Sequence, residues 1–261
     1  MPTLTSAQNP ALKAIRKAVL KGSTTAEGFA VAESFHLLEE ALRSDCEIGE
    51  VFAAESVKSA VQRHIGGLKK IRVTVLTDEL FQSISATEAS QGVIALVKPP
   101  AWTLDQLFRG RSLVAILDGL QDPGNAGTIV RAAEAFGATG VVFLKGAVNP
   151  YNPKCLRASA GSIFRVPLAA TIEERLLLAA VEQKKVEMFA LAPKGGVELG
   201  ECNFSGKCAL IVGSEGRGVS ERLRGKAMDV RIPTVGVESL NAALAAGIAL
   251  YVARKQRMMT P

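Results

Sequence analysis

The stretch that decides the fold reads IPTVGVESLNAALAAGIALYVA and covers residues 232–253. After Asn241 it carries no charged residue, and its one polar side chain is the hydroxyl of Tyr251. The apolar run 242–253 has 12 residues, fewer than the ~20 that a membrane-spanning helix needs. This pattern therefore indicates a helix that is buried inside a folded domain.

The approach to this helix contains a short strand, VRIP, which Pro233 ends, followed by the loop TVGVE. We expect the helix to begin about Leu240 with Ser239 as its N-cap, because serine is a preferred capping residue. Capping does not explain Asn241 equally well, since asparagine is a poor helix former. Asn241 is therefore a candidate for a functional role.

The length and the composition suit an α/β protein with two domains. The chain has 261 residues, of which 48% are apolar and only 5% aromatic, which suits helices packed on a parallel sheet. The four cysteines form no CxxC pair, and the two histidines are far from three of them in sequence. We expect no metal site and no disulfide framework. No long apolar segment follows the basic N-terminus, so we expect no signal peptide and a cytoplasmic location.

The positive charge is unevenly distributed. The net charge is +6, and residues 1–99 contain equal numbers of basic and acidic side chains, so residues 100–261 supply the whole excess. The sequence pI of about 9.2 favours a nucleic-acid partner.

Alternating strand and helix patterns divide the chain into domains. Residues 1–97 read as a small α/β domain that begins with a helix at NPALKAIRKAVLKG, capped by Asn9 and ended by Gly22. In this helix Lys13 and Lys17 recur at a four-residue spacing, which fits either a solvated face or a face that contacts phosphates. Residues 98–111 form a linker that is stiffened by two prolines. Residues 112–261 alternate short apolar strands with helices, as in a parallel sheet.

Three loops follow predicted strands of the second domain, at the sheet edge where ligands gather in open α/β folds. The first, in LDGLQDPGNAGTIVRAAEAF, contains Asn125 and Arg131, which could be simply an N-cap and a surface cation. The second, GSEGRG, matches neither the GxGxxG nor the Walker pattern. The third is the loop that contains Ser239 and Asn241.

In this order, the three loops resemble the motifs of the SpoU-type (TrmH-like) RNA 2′-O-ribose methyltransferases of the SPOUT class. The matching segments are NAGTIVRAA, GSEGRGVS and IPTVGVESLN. Residues 1–97 look like this family's small, ribosomal-protein-like substrate-binding domain, with Glu33-Ser34 where members often have Glu-Gly. The resemblance implies a mostly parallel α/β sheet with a deep trefoil knot, S-adenosylmethionine as the cofactor, RNA as the substrate, and a homodimer with its active site near the subunit interface.

The resemblance also implies site residues, which are carried over by motif position. The catalytic candidates are Asn125, Arg131, Glu215, Ser239 and Asn241. The cofactor candidates are Leu191, Ala192, Gly213, Ile232, Pro233 and Leu240. Because a guanidinium is almost never neutral, our hypothesis is that Arg131 activates the 2′-hydroxyl electrostatically, with Asn125 orienting it. The candidate RNA contacts, chosen for their positive charge, are Lys13, Arg16, Lys17 and Arg157.

Other interpretations stay open at this point. The small N-terminal domain favours ribosomal RNA, and a transfer RNA 2′-O-methyltransferase is the alternative. A non-catalytic RNA-binding protein with the same fold is a second, although binding alone would not require Asn125, Arg131, Ser239 and Asn241 together. A nucleotide-dependent enzyme on a doubly wound sheet is disfavoured, because the chain lacks GxGxxG and Walker patterns.

Overall fold

A computed structural model of the chain describes residues 3–44, 46–65 and 71–259. It divides into two compact units. The first consists of Met1–Pro100 together with Tyr151–Phe164, and the second of Ala101–Pro150 together with Arg165–Pro261. Segment 151–164, which the sequence predicts to be part of the domain 112–261, packs with the first unit in the structure.

The first unit is an α/β domain. Its strands are β1 (Thr3–Leu4), β2 (Ala30–Glu33), β3 (Glu47–Ala54), β4 (Val73–Leu76) and β5 (Val93–Lys98). Its helices are α1 (Pro10–Lys21), α2 (Phe35–Arg43), α3 (Lys58–Ile65), α4 (Asp78–Gln82) and, from the inserted segment, α7 (Pro153–Ser159). The strands form a mixed sheet in the order β1-β4-β3-β5-β2. Helix α1 begins after the predicted Asn9 cap, ends at Gly22, and buries Leu12 and Ile15.

The inserted segment 151–164 fits into the first unit through close contacts. Helix α7 packs on β2. Gly22 lies so close to Asn152, and Gly161 so close to Glu40, that a Cβ at either glycine would come within 2.4 Å of the opposing side chain. Both glycines also have positive φ angles, so larger residues are excluded for two independent reasons.

The second unit supplies the predicted parallel sheet. Its strands are β6 (Leu113–Asp118), β7 (Gly140–Leu144), β8 (Leu168–Ile172), β9 (Glu187–Leu191), β10 (Val197–Glu198), β11 (Cys208–Gly213) and β12 (Met228–Arg231). Its helices are α5 (Leu104–Leu107), α6 (Pro123–Ala135), α8 (Glu174–Lys184), α9 (Glu221–Arg224) and α10 (Ala242–Met259). The strand order is β10-β12-β9-β11-β6-β7-β8, and every pairing is parallel.

The core of the second unit confirms the predicted fold class. Val114, Ile116, Val142, Ala209 and Ile211, from adjacent strands, are almost completely buried in one apolar cluster. Strands buried on both faces explain why these segments read as continuous apolar runs rather than alternating ones. After β6 the chain adds β7 and β8 on one side, and then β9 to β12 on the other side, so the loops at the carboxyl ends of the neighbouring parallel strands β6 and β11 flank a topological switch point. The knotted path stays a prediction.

Candidate active site

The three motif loops emerge from the same edge of the second sheet. Gly213, the last residue of β11, is in register with Asp118, the last residue of β6. Strand β12 runs parallel to these strands through β9 and ends at Arg231. Because the strands are parallel, the chain segments after residues 118, 213 and 231 meet at the carboxyl edge of the sheet.

The first loop leaves the Asn125 side chain available. The N-cap of α6 is Asp122, whose Oδ1 accepts hydrogen bonds from the backbone N–H groups of Gly124 (2.5 Å) and Asn125 (3.0 Å). Asn125 lies in the first turn of the helix, after Pro123. The interpretation of Asn125 as the N-cap is therefore wrong, and its amide is free for another role.

The third loop corrects the predicted cap of α10. The helix begins at Ala242, and Asn241 Oδ1 accepts hydrogen bonds from the N–H groups of Ala243 (2.9 Å) and Leu244 (3.2 Å). The N-cap is thus Asn241, and the prediction of Ser239 as the cap is wrong. Ser239 is exposed, two residues outside the helix cap. Capping removes the puzzle of an asparagine at this position.

A chain of hydrogen bonds connects the three loops. Asn241 Nδ2 donates to Asn125 Oδ1 (3.0 Å), and Asn125 Nδ2 donates to Glu215 Oε1 (2.7 Å). Each amide uses its oxygen and its nitrogen for different partners, so the orientation of both amides is fixed. The structure therefore brings together one residue from each motif: Asn125, Glu215 and Asn241.

The second loop is closed at its base. Ser214 N donates to Gly218 O (3.2 Å), and Gly218 N donates to Ser214 O (2.9 Å). A Cβ at Gly213 would lie 2.1 Å from the carbonyl carbon of Gly218, so glycine permits this close approach. Asp118 Oδ2 accepts a hydrogen bond from Ser220 N (2.7 Å). These contacts hold the turn that carries Glu215.

A cavity of about 550 Å³ lies among the second loop, the third loop and the end of β9. Of the residues implied for the cofactor, five line it: Leu191, Ala192, Gly213, Ile232 and Leu240. Pro233 is exposed and does not line it. Three catalytic candidates, Glu215, Ser239 and Asn241, are on its wall. Its size is within the range of ~300–1,000 Å³ typical of small-molecule sites.

Arg131 is not part of this arrangement within one chain. It is exposed on α6 and lines neither the cavity nor the groove described below. Among the residues that the structure describes, its guanidinium has no hydrogen bond or ion pair.

The four candidate RNA contacts, all in the first unit, differ in how free they are. Lys13 and Lys17 are exposed on α1. Arg16 instead donates to Ala7 O (3.1 Å) and to the backbone and side-chain oxygens of Ser83 (3.2 and 2.7 Å), so its guanidinium is engaged within the unit. Arg157 is half-buried, and its Nη1 is buried with no hydrogen-bond partner in the described part of the chain.

A mostly apolar groove between α6 and α10 was not predicted as a site feature. It is lined by Asn125, Thr128, Ala132, Phe136, Asn241, Ala243, Leu244, Gly247, Ile248 and Tyr251. Leu244 and Tyr251 are each 53% exposed, and the rings of Phe136 and Tyr251 meet edge-on with centroids 5.7 Å apart. Of the small residues of α10, Ala246 is buried inside the unit, whereas Gly247 lines the groove. The sequence alone does not reveal this groove, because Leu244 and Tyr251 belong to an apolar run that is typical of a buried helix.

Other chemistries find no support in the described residues. Burial raises the pKa of the Cys155 thiol to about 12 and also raises the pKa of Cys208, so neither thiol forms a thiolate at neutral pH. No group of three or more His, Cys, Asp or Glu side chains in residues 3–44, 46–65 and 71–259 could hold a metal ion. No helix in those ranges is long and apolar enough to cross a membrane.

The chain is similar to known proteins over nearly its whole length. Residues 112–251 match the SpoU rRNA Methylase family, and residues 9–95 match the MRM3-like substrate binding domain. The chain is 32% identical to the 23S rRNA (guanosine(2553)-2′-O)-methyltransferase RlmP of Bacillus subtilis, over 96% of this chain and 98% of the relative. It is 31% identical to the 23S rRNA (guanosine-2′-O-)-methyltransferase RlmB of Ralstonia nicotianae, over 87% and 96% of the two chains.

Solved structures agree with these similarities. The AdoMet-bound rRNA methyltransferase from Sinorhizobium meliloti superposes with a TM-score of 0.84 at 26% identity, covering 97% of both chains. The SpoU methyltransferase AviRb from Streptomyces viridochromogenes, in complex with the cofactor AdoMet, gives a TM-score of 0.85 at 25% identity, covering 96% of this chain and 99% of that chain.

Proposed function

The chain belongs to the SpoU rRNA methylase family, and from this premise we propose that it transfers the methyl group of S-adenosylmethionine to a ribose 2′-hydroxyl of ribosomal RNA. The observation that carries the proposal is the hydrogen-bonded chain Asn241–Asn125–Glu215 beside the cavity. Transfer RNA is not favoured as the substrate, because relatives that align over nearly the whole chain are named for 23S rRNA.

The cavity fits S-adenosylmethionine by its chemistry. Leu191, Ile232 and Leu240 offer apolar surface for an adenine ring. Glu238, on the same wall, is a carboxylate that can complement a positive charge of the cofactor, although its Oε1 already lies 3.3 Å from Lys194 Nζ. The bound cofactor supplies a methyl group made electrophilic by the positive charge on sulfur. The protein must therefore orient the hydroxyl that receives the methyl group and ease the loss of its proton.

Glu215 is placed to take part in that task. Its Oε1 is held by Asn125 Nδ2 (2.7 Å), and its Oε2 has no hydrogen-bond partner among the described residues. A carboxylate held by one oxygen presents the other in a fixed direction, where it can accept a hydrogen bond from a ribose hydroxyl. Asn241 contributes by fixing the Asn125 amide, which in turn fixes Glu215.

We propose that Arg131 reaches the site from a second copy of the chain. The groove between α6 and α10 exposes Leu244 and Tyr251, and it is continuous with the site because Asn125 and Asn241 line it. A second copy packed on this groove would cover the exposed apolar side chains and bring Arg131 of one subunit toward the cavity of the other. The guanidinium would then lower the pKa of the hydroxyl and hold the RNA strand.

The dimer is tested by placing a charge in the groove. We expect Leu244→Glu to sediment as a monomer and to lose methyl transfer, because a buried carboxylate in an apolar interface is costly. Leu176→Glu is the matched control, since Leu176 on α8 is equally exposed at 53% but lies outside the groove. A dimeric, active Leu244→Glu protein would contradict this interface.

The activity is tested on RNA that lacks the modification. The protein is incubated with labelled S-adenosylmethionine and, in separate reactions, with ribosomal RNA, ribosomal particles and transfer RNA from a strain in which the gene is deleted. We expect label at one ribose 2′-oxygen, mapped by resistance of the adjacent bond to alkali. Label on a base would contradict the reaction type, and label on transfer RNA alone would contradict the substrate class.

Replacing Arg131 by lysine should strongly lower turnover at every pH, because lysine lacks the bidentate fork.

For RNA contacts outside the second unit, we propose that Lys13 and Lys17 bind phosphates through the exposed face of α1. Because Arg16 already donates to Ala7 and Ser83, its proposed role is to hold the helix against residue 83. The double variant Lys13→Ala/Lys17→Ala should reduce the salt dependence of RNA binding, with a slope lower by about two. An unchanged slope would contradict the assignment.

A further inference from the structure

Arg217 is a cationic side chain of the cavity wall with no ion-pair partner among the described residues. Of the residues that the structure describes, two cationic side chains line the cavity, Arg217 and Arg224. Arg224 is paired with Asp229 through hydrogen bonds of 2.6–3.0 Å from Nε and Nη2. The Arg217 guanidinium is exposed, and within the described residues no carboxylate lies in ion-pair distance of it.

Arg217 is presented from a rigid turn. The turn is closed by the reciprocal hydrogen bonds of Ser214 and Gly218, and Arg217 N donates to Ser214 Oγ (3.2 Å). Within the turn, Glu215 is tied to Asn125. A ligand that bound here would therefore not have to order the backbone, and its binding would lose little entropy.

Gly216 leaves bare backbone between Glu215 and Arg217. Its φ angle is not positive, and apart from its two chain neighbours a Cβ at this position would meet no atom of the described residues within 4 Å. Neither backbone conformation nor packing therefore requires glycine here, in contrast to Gly213 in the same loop. Open backbone on a cavity wall allows a ligand to approach closely.

We infer that Gly216 and Arg217 hold a phosphate of the RNA strand next to the ribose that receives the methyl group. This inference rests on the proposed function. The 2′-hydroxyl is on C2′ of the ribose and the 3′-phosphate is on the adjacent carbon C3′, so a phosphate must lie beside the reacting oxygen in any productive complex. Arg217 is two residues from Glu215, and a guanidinium fork matches phosphate oxygens bidentately. Fixing this phosphate fixes the ribose against the cavity.

The experiment compares Arg217→Ala, Arg217→Lys and Gly216→Ala with the control Arg175→Ala, which removes an exposed arginine of α8 outside the cavity lining. For each protein, KM and kcat are measured with ribosomal RNA from the deletion strain, together with the salt dependence of RNA binding. The dissociation constant of S-adenosylhomocysteine is measured by calorimetry. Melting temperatures verify that all variants fold.

We expect Arg217→Ala to raise the KM for RNA about tenfold and to lower the salt slope by about one. Its affinity for S-adenosylhomocysteine should stay within about twofold of wild type, since the proposed contact is with RNA. Arg217→Lys should keep the salt slope but only part of the affinity, because lysine binds phosphate as a point charge. Gly216→Ala should raise KM without changing the melting temperature.

Two results would overturn the inference. If Arg217→Ala behaved like Arg175→Ala, the guanidinium would have no role in RNA binding. If Arg217→Ala weakened S-adenosylhomocysteine instead and left the KM for RNA unchanged, its partner would be the carboxylate of the cofactor. Wild-type protein that methylated none of this RNA would refute the proposed function itself, an outcome that differs from both.

Discussion

The two ends of the Asn241 side chain perform separate tasks. Its oxygen caps α10, and its nitrogen donates to Asn125, which in turn donates to Glu215. A helix cap fixes the amide orientation at no cost to the site, because the oxygen can satisfy the helix only when the nitrogen faces away. The stability of α10 and the geometry of the site are therefore coupled through one residue.

The coupling predicts that two substitutions of Asn241 separate the tasks. Asn241→Asp keeps an acceptor for the helix N–H groups but loses the donor to Asn125, so the unfolding free energy should be nearly unchanged while turnover falls about 100-fold. Asn241→Ala should lose turnover and also about 1 kcal/mol of stability. Urea unfolding and single-turnover methylation measure the two effects. An Asn241→Asp protein with wild-type turnover would show that the hydrogen bond to Asn125 is dispensable.

Ser34 has a backbone conformation that serine rarely adopts. Its φ and ψ angles are 151° and 158°, a region that favours glycine. The compensation is a cap, because Ser34 Oγ accepts a hydrogen bond from Leu37 N (3.1 Å) at the start of α2. The departure from the Glu-Gly pair thus leaves the glycine-like turn in place.

The strain at Ser34 predicts how substitutions there change the unfolding free energy. Ser34→Gly should stabilise the protein by about 1 kcal/mol, since relief of strain exceeds the few tenths lost when glycine replaces serine at a cap. Ser34→Ala should instead destabilise by about 1 kcal/mol, because it keeps the strain and loses the cap. Urea unfolding of the three proteins decides the order. A Ser34→Gly protein less stable than wild type would mean that the cap outweighs the strain.

At the scale of elements, α10 runs from the carboxyl ends to the amino ends of the strands in the second sheet. Its first end, at Asn241, lies at the carboxyl edge. Near its other end, Arg257 donates to backbone oxygens of Phe204 (2.9 Å), Arg111 (2.6 Å) and Ser112 (2.8 Å), which precede strands β11 and β6. Its 18 residues rise ~27 Å, enough to span six-residue strands of ~20 Å.

Removing the Arg257 side chain should therefore destabilise the whole second unit. Arg257→Ala leaves several carbonyls without their donor and should cost about 3 kcal/mol of unfolding free energy. Arg257→Lys should recover only part of this loss, because one ammonium cannot reach all the carbonyls. Lys255→Ala is the control, since Lys255 is exposed on the same helix. Equal urea midpoints for Arg257→Ala and Lys255→Ala would contradict the anchor.

Element boundaries show what sequence patterns can reveal. The apolar runs LVAIL, GVVFL, MFAL and CALIV predict β6, β7, β9 and β11, because strands buried on both faces leave a continuous apolar pattern. The start of α10 was wrong, because Ser239 and Asn241 are both good caps and only the folded backbone selects between them. The sequence does not predict strand β8, because LAATI is short and only its first two residues are buried. Helix α4, at DELFQ, is a single short turn with little periodicity.

For the whole molecule, the motifs indicated which residues matter but not how they meet. That Asn125, Glu215 and Asn241 join in one hydrogen-bonded chain follows from the strand order β12-β9-β11-β6, which no local pattern encodes. The packing of segment 151–164 was equally hidden. This segment lies between β7 and β8 in sequence, and only its contacts with α1, α2 and β2 reveal that it belongs with the first unit.

This placement makes a prediction about cooperativity. Leu156 is fully buried in α7, so Leu156→Ala should cost about 2–5 kcal/mol and lower the melting transition of the first unit. In our proposal S-adenosylhomocysteine binds the folded second unit. It should therefore increase the unfolding free energy of that unit by RT ln(1 + [L]/Kd), or about 2.7 kcal/mol at 100 times Kd, and raise the temperature of the other transition. Calorimetry with and without the ligand therefore distinguishes the two transitions.

The matched control is Leu177→Ala, which removes an equally buried leucine from α8 of the second unit. It should lower the transition that S-adenosylhomocysteine raises, whereas Leu156→Ala should lower the other one, because each leucine stabilises only the unit in which it packs. If Leu156→Ala lowered the ligand-sensitive transition instead, segment 151–164 would fold with the catalytic unit, as its position in the sequence indicates. The pair of variants thus tests which unit the segment stabilises, independently of any effect on methyl transfer.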